Sequence, residues 1–334
     1  MCYRLLHALL ILFAFSASVQ SSALGKQVFV TDEPESQAVL GFYNITMDTE
    51  HNLGERFKFI KYLNRGAEAS ASLYMDNVAK SKVVIKLMST KNQDVWTTDG
   101  KPMEILVARH FQHPGLIKIQ ETFFVENKGY WGLVIPWMEF GALSSFSTLI
   151  HLLEIPPSDV DRFFRARFRN ALQGLAFLHS KVKFCHNDVK GSNILVSGDL
   201  EFDLADYGRS IPIDSMFWDR FPMDCKVSDA KSMIRAYLIL LGFGTTLDLF
   251  DDDSHEYSEI INMYWDLKGS SLKTILAHPF WKNAPPETHP PEDFIKELYL
   301  GQAQLKNDKR LKRLWSPDYE SESCLELHCE ESQG

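Results

Sequence analysis

The order of patterns along this 334-residue chain predicts an α+β fold with two lobes. Short runs rich in β-branched and aromatic residues crowd the first part, with one helical stretch among them, and apolar stripes at helical spacing dominate after Gly141. The composition, 45% hydrophobic, 12% aromatic and 24% charged, is that of an ordinary globular protein with length enough for a large core. The 44 acids against 35 Lys and Arg give a net charge of −9, which speaks against a general nucleic-acid binder.

The chain opens on different material. Residues 1–23 place Arg4 before an apolar run over 5–15, followed by small residues at Ser16, Ala17, Ser18, Ser21, Ser22 and Ala23. That is the pattern of a secretory signal peptide, and the run is shorter than the roughly 20 residues a bilayer span needs. A membrane anchor is the other reading. With the signal removed, the expected location is the secretory pathway or outside the cell, with no stable membrane span. Asn44-Ile45-Thr46 is then a glycosylation sequon, although such triplets are common by chance. Four cysteines remain, Cys185, Cys225, Cys324 and Cys329, an even number that allows two bridges but is too few for a disulfide scaffold.

Residues 24–56 are polar, without a period, and read as an N-terminal extension. Strand patterns begin with FKFIKYL at 57, ASLYM and KVVIKLM; a helix is expected over 101–111; IKIQETFFV and YWGLVIPW add two more strands. Pro156-Pro157-Ser158 opens a strong helix, with Ser158 and Asp161 in capping-box spacing and Val160, Phe164, Phe168, Ala171, Leu172 and Leu175 on one face. A second helix is expected from near Asp229, with Met233, Ile234, Tyr237, Leu238 and Leu241 as its buried stripe, and a third over about 271–278. Residues 283–334 read as a Pro-rich linker, a helix with the basic stretch Lys309-Arg310-Leu311-Lys312-Arg313, and an acidic tail.

The chemistry sits between the two textures. Residues 185–195 read CHNDVKGSNIL, and eighteen positions after Asp188 stands Asp206 in the triplet Asp206-Tyr207-Gly208. Upstream, Val83-Val84-Ile85-Lys86 lies in a strand and Glu104 in the following helix. Each feature alone is weak: an Asp-Tyr-Gly triplet is more often a turn, a strand lysine a solvated edge, an asparagine a cap. Together with His113-Pro114, Leu178-His179, Asp229 and His278-Pro279-Phe280, they stand in one order at one set of spacings. This set resembles the eukaryotic protein kinase family over residues 57–282. The HRD loop appears as His186-Asn187-Asp188, the DFG triplet as Asp206-Tyr207-Gly208 and VAIK as VVIK.

The resemblance implies a β-rich N-lobe carrying one helix, a mostly helical C-lobe, ATP and Mg²⁺ as cofactors, and a protein substrate. Phosphoryl transfer asks little covalent chemistry of the protein but much stabilisation of negative charge. Lys86, oriented by Glu104, would hold the α/β-phosphates. Asn193 and Asp206 would hold Mg²⁺. Asp188 would orient the acceptor hydroxyl and take its proton, and Lys190 would reach the γ-phosphate, in the arrangement of Ser/Thr-type members. Leu63, Asn64, Gly66 and Ala69 would cover the nucleotide, Ala71, Val84 and Leu195 would wall the adenine, and Pro136 and Met138 would offer it backbone groups.

Departures from the family pattern bear on activity. Of the glycine-rich loop only Gly66 survives, in Asn64-Arg65-Gly66-Ala67-Glu68-Ala69, and Glu68 puts negative charge near the phosphates. Asn187 replaces the HRD arginine, which in the family receives a phosphorylated activation-segment residue. Only 23 positions separate Asp206 from Asp229, with no Ala-Pro-Glu among them. An active enzyme not gated by phosphorylation of that segment fits these features. A pseudokinase acting as a binding module, or a small-molecule kinase of related fold, are the alternatives. Through the resemblance, Cys185 and Cys225 come near one another, as a disulfide tying down the short segment or as two buried thiols. Cys324, Cys329 and His328 are too few for a closed zinc site.

Overall fold

The computed structural model describes residues 27–29, 42–48, 50–65, 69–90, 95–97, 101–108, 112–213, 224–243, 257–267, 272–285 and 289–307. The expected signal peptide, Gly66 and Glu68, Cys324, Cys329, His328 and the basic stretch at 309–313 lie outside these residues.

The N-lobe is a six-stranded sheet in the order β2-β7-β8-β5-β4-β3. Its strands are β2 (Phe42–Ile45), β3 (Phe57–Arg65), β4 (Ala69–Asp76), β5 (Ser81–Ser89), β7 (Glu121–Val125) and β8 (Tyr130–Pro136). The expected strand over 117–125 is shorter than its pattern because its start turns to Leu204 instead: Ile117 N donates to Leu204 O at 2.9 Å, and Gly115 O accepts from Leu204 N at 3.1 Å. A small separate pair joins β1 (Gln27–Phe29) to β6 (Val95–Thr97) in parallel. One helix, α1 (Met103–Ala108), follows β6.

The sheet reaches back past residue 57. β2 pairs in parallel with β7, so residues 42–45, read from sequence as extension, are an edge strand of the lobe. An ionic network fixes this edge. The Arg56 guanidinium forks onto Asp76 (2.7 Å) and Glu121 (2.5 Å), and Tyr43 Oη donates to Glu121 at 2.9 Å. The bond to Arg56 outweighs burial and holds the Asp76 carboxyl below its ordinary range. Phe57, Tyr74, Ile85, Phe123 and Val134 form the core beneath this sheet. Gly132 is required there: a Cβ would lie 2.3 Å from the Phe123 ring.

The C-lobe is built on α2 (Leu143–Leu152), α3 (Pro157–Phe177), α4 (Cys225–Leu240), α5 (Ser258–Asp266), α6 (Leu272–Ala277), α7 (Pro279–Lys282) and α8 (Glu292–Asn307). The stripe predicted for α3 is buried as expected, with Phe164, Phe168, Ala171, Leu172 and Leu175 fully enclosed. Its start differs. Pro157 occupies the first helical position behind Pro156, and no side chain caps the helix. Pro fits there because its missing N–H is one of the first-turn donors that have no partner anyway. Asp161 turns instead to Arg165 and to Tyr237 Oη, which donates to it at 2.6 Å.

α4 begins a turn earlier than expected. Asp224 caps it by accepting from Lys226 N at 2.9 Å, which places Asp229 inside the helix on its buried face. Between the helices lie short strands: β9 (Gly141–Ala142), β10 (Phe184–Cys185), β11 (Ile194–Val196), β12 (Phe202–Leu204) and β13 (Ile211–Pro212). β12, β11 and β9 form one antiparallel sheet, and β10 pairs with β13. These strands set the positions of the chemistry-bearing loops. The result is the bilobal α+β arrangement the pattern order implied.

Candidate active site

Three charged side chains from three separate elements meet between the lobes. Lys86 stands in β5, registered between Ala71 of β4 and Leu133 of β8. Its Nζ lies 2.7 Å from Glu104 Oε2 on the first turn of α1 and 2.6 Å from Asp206 Oδ1 after β12. Burial by itself would lower the Lys86 pKa, but the two carboxylates outweigh it and hold the ammonium charged. The two acids differ. Burial dominates at Glu104, which is 4% exposed, and pushes its carboxyl up to about 7. Burial would also raise Asp206, but the Lys86 ammonium overrides it and holds that carboxyl at about 2. Asp206 therefore stays ionised throughout the physiological range, and its side chain is 43% exposed to the cleft.

Asp206 has φ of 65°, a left-handed backbone that Asp tolerates better than most residues. Its carboxylate accepts from Gly208 N at 3.4 Å. Tyr207, at the position of the family's phenylalanine, is fully buried and donates its hydroxyl to Leu204 O at 2.7 Å. The added oxygen thus finds a backbone acceptor, as a buried phenol must.

The loop after β10 brings in the second group. Asp229 Oδ2 accepts from His186 N at 2.7 Å and Oδ1 from Asn187 N at 2.8 Å, while His179 Nε2 lies 2.9 Å from Oδ2. One buried carboxylate thereby fixes two successive amides of the loop. Buried His186 has its pKa lowered by desolvation and is neutral; Asp188 N donates to its Nδ1 at 3.3 Å, so Nε2 carries the proton toward Ala205 O at 2.9 Å. Asn187 has φ of 62°, a conformation asparagine adopts at small cost.

Asp188 is tied to the same site through Asn193, whose backbone O accepts from Ala205 N at 2.8 Å, next to Asp206. Asn193 Nδ2 donates to Asp188 O at 2.8 Å and Oδ2 at 3.0 Å, and Lys190 Nζ lies 3.1 Å from Oδ2. With its nitrogen committed, Asn193 has its amide oxygen left for a ligand. That oxygen and the Asp206 carboxylate are hard donors of the kind Mg²⁺ takes, so the donor set fits that ion.

A disulfide joins Cys185 to Cys225, whose Cα atoms are 6.0 Å apart. It ties the residue before His186 to the first turn of α4, one helical turn from Asp229. The bridge is thus formed, in place of two separate buried thiols.

The strand register places Asn64 opposite Ala71, Ala71 opposite Lys86, and Leu73 opposite Val84, at one end of the sheet. Leu63 and Ala69 are half-buried there, and Leu195 is half-buried on β11, opposite Ala142. In the segment joining β8 to β9, the hinge, Met138 O accepts from Gly141 N at 3.1 Å to close a turn, and the Met138 side chain is buried in the larger core, which draws on both lobes. Its N–H makes no hydrogen bond among the described residues. The sequence did not mark two supports. One is Asp229 as the loop clamp; an acid in the apolar stripe of α4, in line with Cys225 and Met233, was the available signal. The other is Glu139, whose Oε2 accepts from Gly198 N at 2.6 Å.

Residues 57–217 match the protein kinase domain family. The serine/threonine-protein kinase ppk6 of Schizosaccharomyces pombe is 29% identical over 59% of this chain and 26% of its own length. The dual specificity mitogen-activated protein kinase kinase 1 of Dictyostelium discoideum is 26% identical over 46% of this chain and 22% of its own length. A calcium/calmodulin-dependent protein kinase kinase of Caenorhabditis elegans is 32% identical over 34% and 19%. The chain thus spans about a quarter or less of these relatives. The matched segment holds Lys86, Glu104, Asp188, Asn193 and Asp206, and residues 57–217 are a protein kinase domain.

Proposed function

We propose that this chain is a protein kinase that transfers the γ-phosphate of Mg-ATP to Ser or Thr hydroxyls. The observation that carries the proposal is the three-way contact of Lys86 with Glu104 and Asp206, facing Asp188 across the cleft. Mg-ATP supplies the phosphoryl group and the charge neutralisation its transfer needs. Lys86 would bind phosphate oxygens, its direction fixed by Glu104. Asp206 and Asn193 would hold the metal. Asp188 accepts the proton of the acceptor hydroxyl, and Lys190, already beside it, balances charge at the transferred group. The Met138 N–H and the Pro136 carbonyl would offer hydrogen bonds to the adenine, and Ala71, Val84 and Leu195 would supply its apolar walls.

The enzyme belongs to the type without the HRD arginine. Asp229 and the Cys185–Cys225 bridge anchor the catalytic loop, so its anchorage does not require a phosphorylated residue. The bridge also supports an oxidising compartment, in keeping with the expected signal at 1–23. A pseudokinase is the second reading, favoured by Asn187 and by Glu68 in the sequence that stands for the glycine-rich loop.

Radiolabelled phosphate transfer by the intact protein and by Asp188→Asn separates the two. The kinase reading expects a loss of about 10²–10⁴-fold in the variant, the usual worth of a positioned base. Equal rates, with Mg-ATP still raising the melting temperature, would establish a binding module instead.

A further inference from the structure

The C-terminal helix α8 lies outside the matched family segment and outside the domain drawn from sequence, yet it is seated on the hinge. Gln302, 6% exposed, donates from Nε2 to Glu139 O at 2.8 Å. Tyr299 lies against Phe140 with ring centroids 4.8 Å apart. Both partners belong to the segment between Pro136 and Gly141. Phe294 packs on Phe163 of α3 at 5.1 Å, and Leu298 and Leu305 are buried. Gly301 lets the helix approach α2 closely, since a Cβ there would lie 2.9–3.2 Å from the methyl groups of Leu149 and Leu153. Glu139 is therefore held twice, by Gln302 at its carbonyl and by Gly198 N at its carboxylate.

We infer that α8 is a hinge brace and that Gln302 is a positioning residue for nucleotide binding. The inference rests on the kinase reading. The Met138 N–H offered to adenine is one residue before the carbonyl that Gln302 holds. A hinge fixed from behind presents that N–H in one geometry; a loosened hinge must be ordered when ligand binds, and affinity falls by the fraction of competent states. Gln302 touches neither the phosphates nor Asp188, so its removal acts on binding and leaves the transfer step alone.

The test uses the full chain with Gln302→Met, which keeps the bulk and removes the donor, and Lys296→Ala on the exposed face as control. Hydrogen–deuterium exchange is followed over residues 137–141, alongside calorimetric Kd for Mg-ADP and steady-state kinetics. Loss of one buried hydrogen bond predicts exchange faster and Kd weaker by about two- to ten-fold in Gln302→Met, with kcat within two-fold. The control is expected to match the parent protein. If Gln302→Met does not fold, Tyr299→Ala, at a 41% exposed position, probes the same brace with the same expectation. Unchanged hinge exchange in a folded variant, or a fall in kcat with Kd unmoved, overturns the inference. A parent protein that binds no nucleotide overturns the kinase reading instead, and the exchange measurement still decides whether α8 braces the hinge.

Discussion

Removing the Cys185–Cys225 bridge, in Cys185→Ala/Cys225→Ala, perturbs both the unfolded chain and the catalytic loop. The two cysteines are 40 positions apart. In the chain-entropy treatment, closing a loop of that size removes about 13 cal/mol/K from the unfolded ensemble, or about 4 kcal/mol at 25 °C. For a domain of this size that is about 8–16 °C in melting temperature. The assay is urea unfolding of the oxidised parent, the double variant and the reduced parent, at equal ionic strength. The reduced parent keeps both sulfur atoms, so it separates the cross-link from the small cavities that alanine leaves. Both are expected to fall by about 3–4 kcal/mol, the alanine variant slightly further. A difference under about 1 kcal/mol between oxidised and reduced parent would refute the reasoning. So would peptide mapping that finds both thiols open to alkylation in the unreduced, unfolded protein.

Asp203 offers a pH-dependent test: burial and the nearby Glu201 push its carboxyl up to about 7. The folded state thus binds this proton more tightly than the unfolded chain does, so stability from this group is full below about pH 4 and falls as pH rises toward 7. Asp203→Asn is expected to stabilise by about 1–3 kcal/mol at pH 8, allowing for its partial exposure, and by almost nothing at pH 4. Equal effects at the two pH values would contradict the assignment; denaturant titrations at each pH measure it. For phosphorylation, an active preparation treated with a broad-specificity phosphatase is expected to keep its turnover within about two-fold, because Asn187 is no partner for a phosphate dianion. Abolished transfer after treatment would show that a phosphorylated residue gates the enzyme.

The parts of this fold legible in the sequence are those with local signals. The α3 stripe, the β5 run around Lys86 and the order of Lys86, Glu104, Asp188 and Asp206 were readable because periodicity and spacing are properties of the chain itself. Three features were not, each for a reason of distance. β2 is an edge strand of four residues whose register partners in β7 lie 80 positions away, and its polar flank carries no alternation. The start of α4 was placed at Asp229 because an acid there mimics a cap, whereas Asp224 caps the helix and Asp229 faces inward to two loop amides. Gln302 carries no sign of its role in the sequence. Its partner is a main-chain carbonyl 163 positions earlier, and a backbone acceptor leaves no mark in a sequence.

The substitutions in this chain fall on one side of a line. Lys86, Glu104, Asp188, Lys190, Asn193 and Asp206, which meet charge at the reacting group, are the residue types the family uses. Asn187 and the missing Ala-Pro-Glu belong to machinery that answers to a phosphorylated segment. If the cleft served only as a scaffold, the pressure would run the other way. Glu104 is buried and desolvation raises its pKa, and three charges held together without a ligand cost desolvation that apolar side chains would avoid. Keeping that cost makes physical sense where a polyanion and its metal are to be bound. Meanwhile the loop after β10 and the turn after β12 carry supports that are always present: a disulfide at Cys185, an asparagine suited to positive φ at 187, and the Tyr207 hydroxyl pinned to Leu204 O. On the kinase reading proposed above, a loop held this way is set on folding and does not wait for a phosphorylated residue to meet position 187.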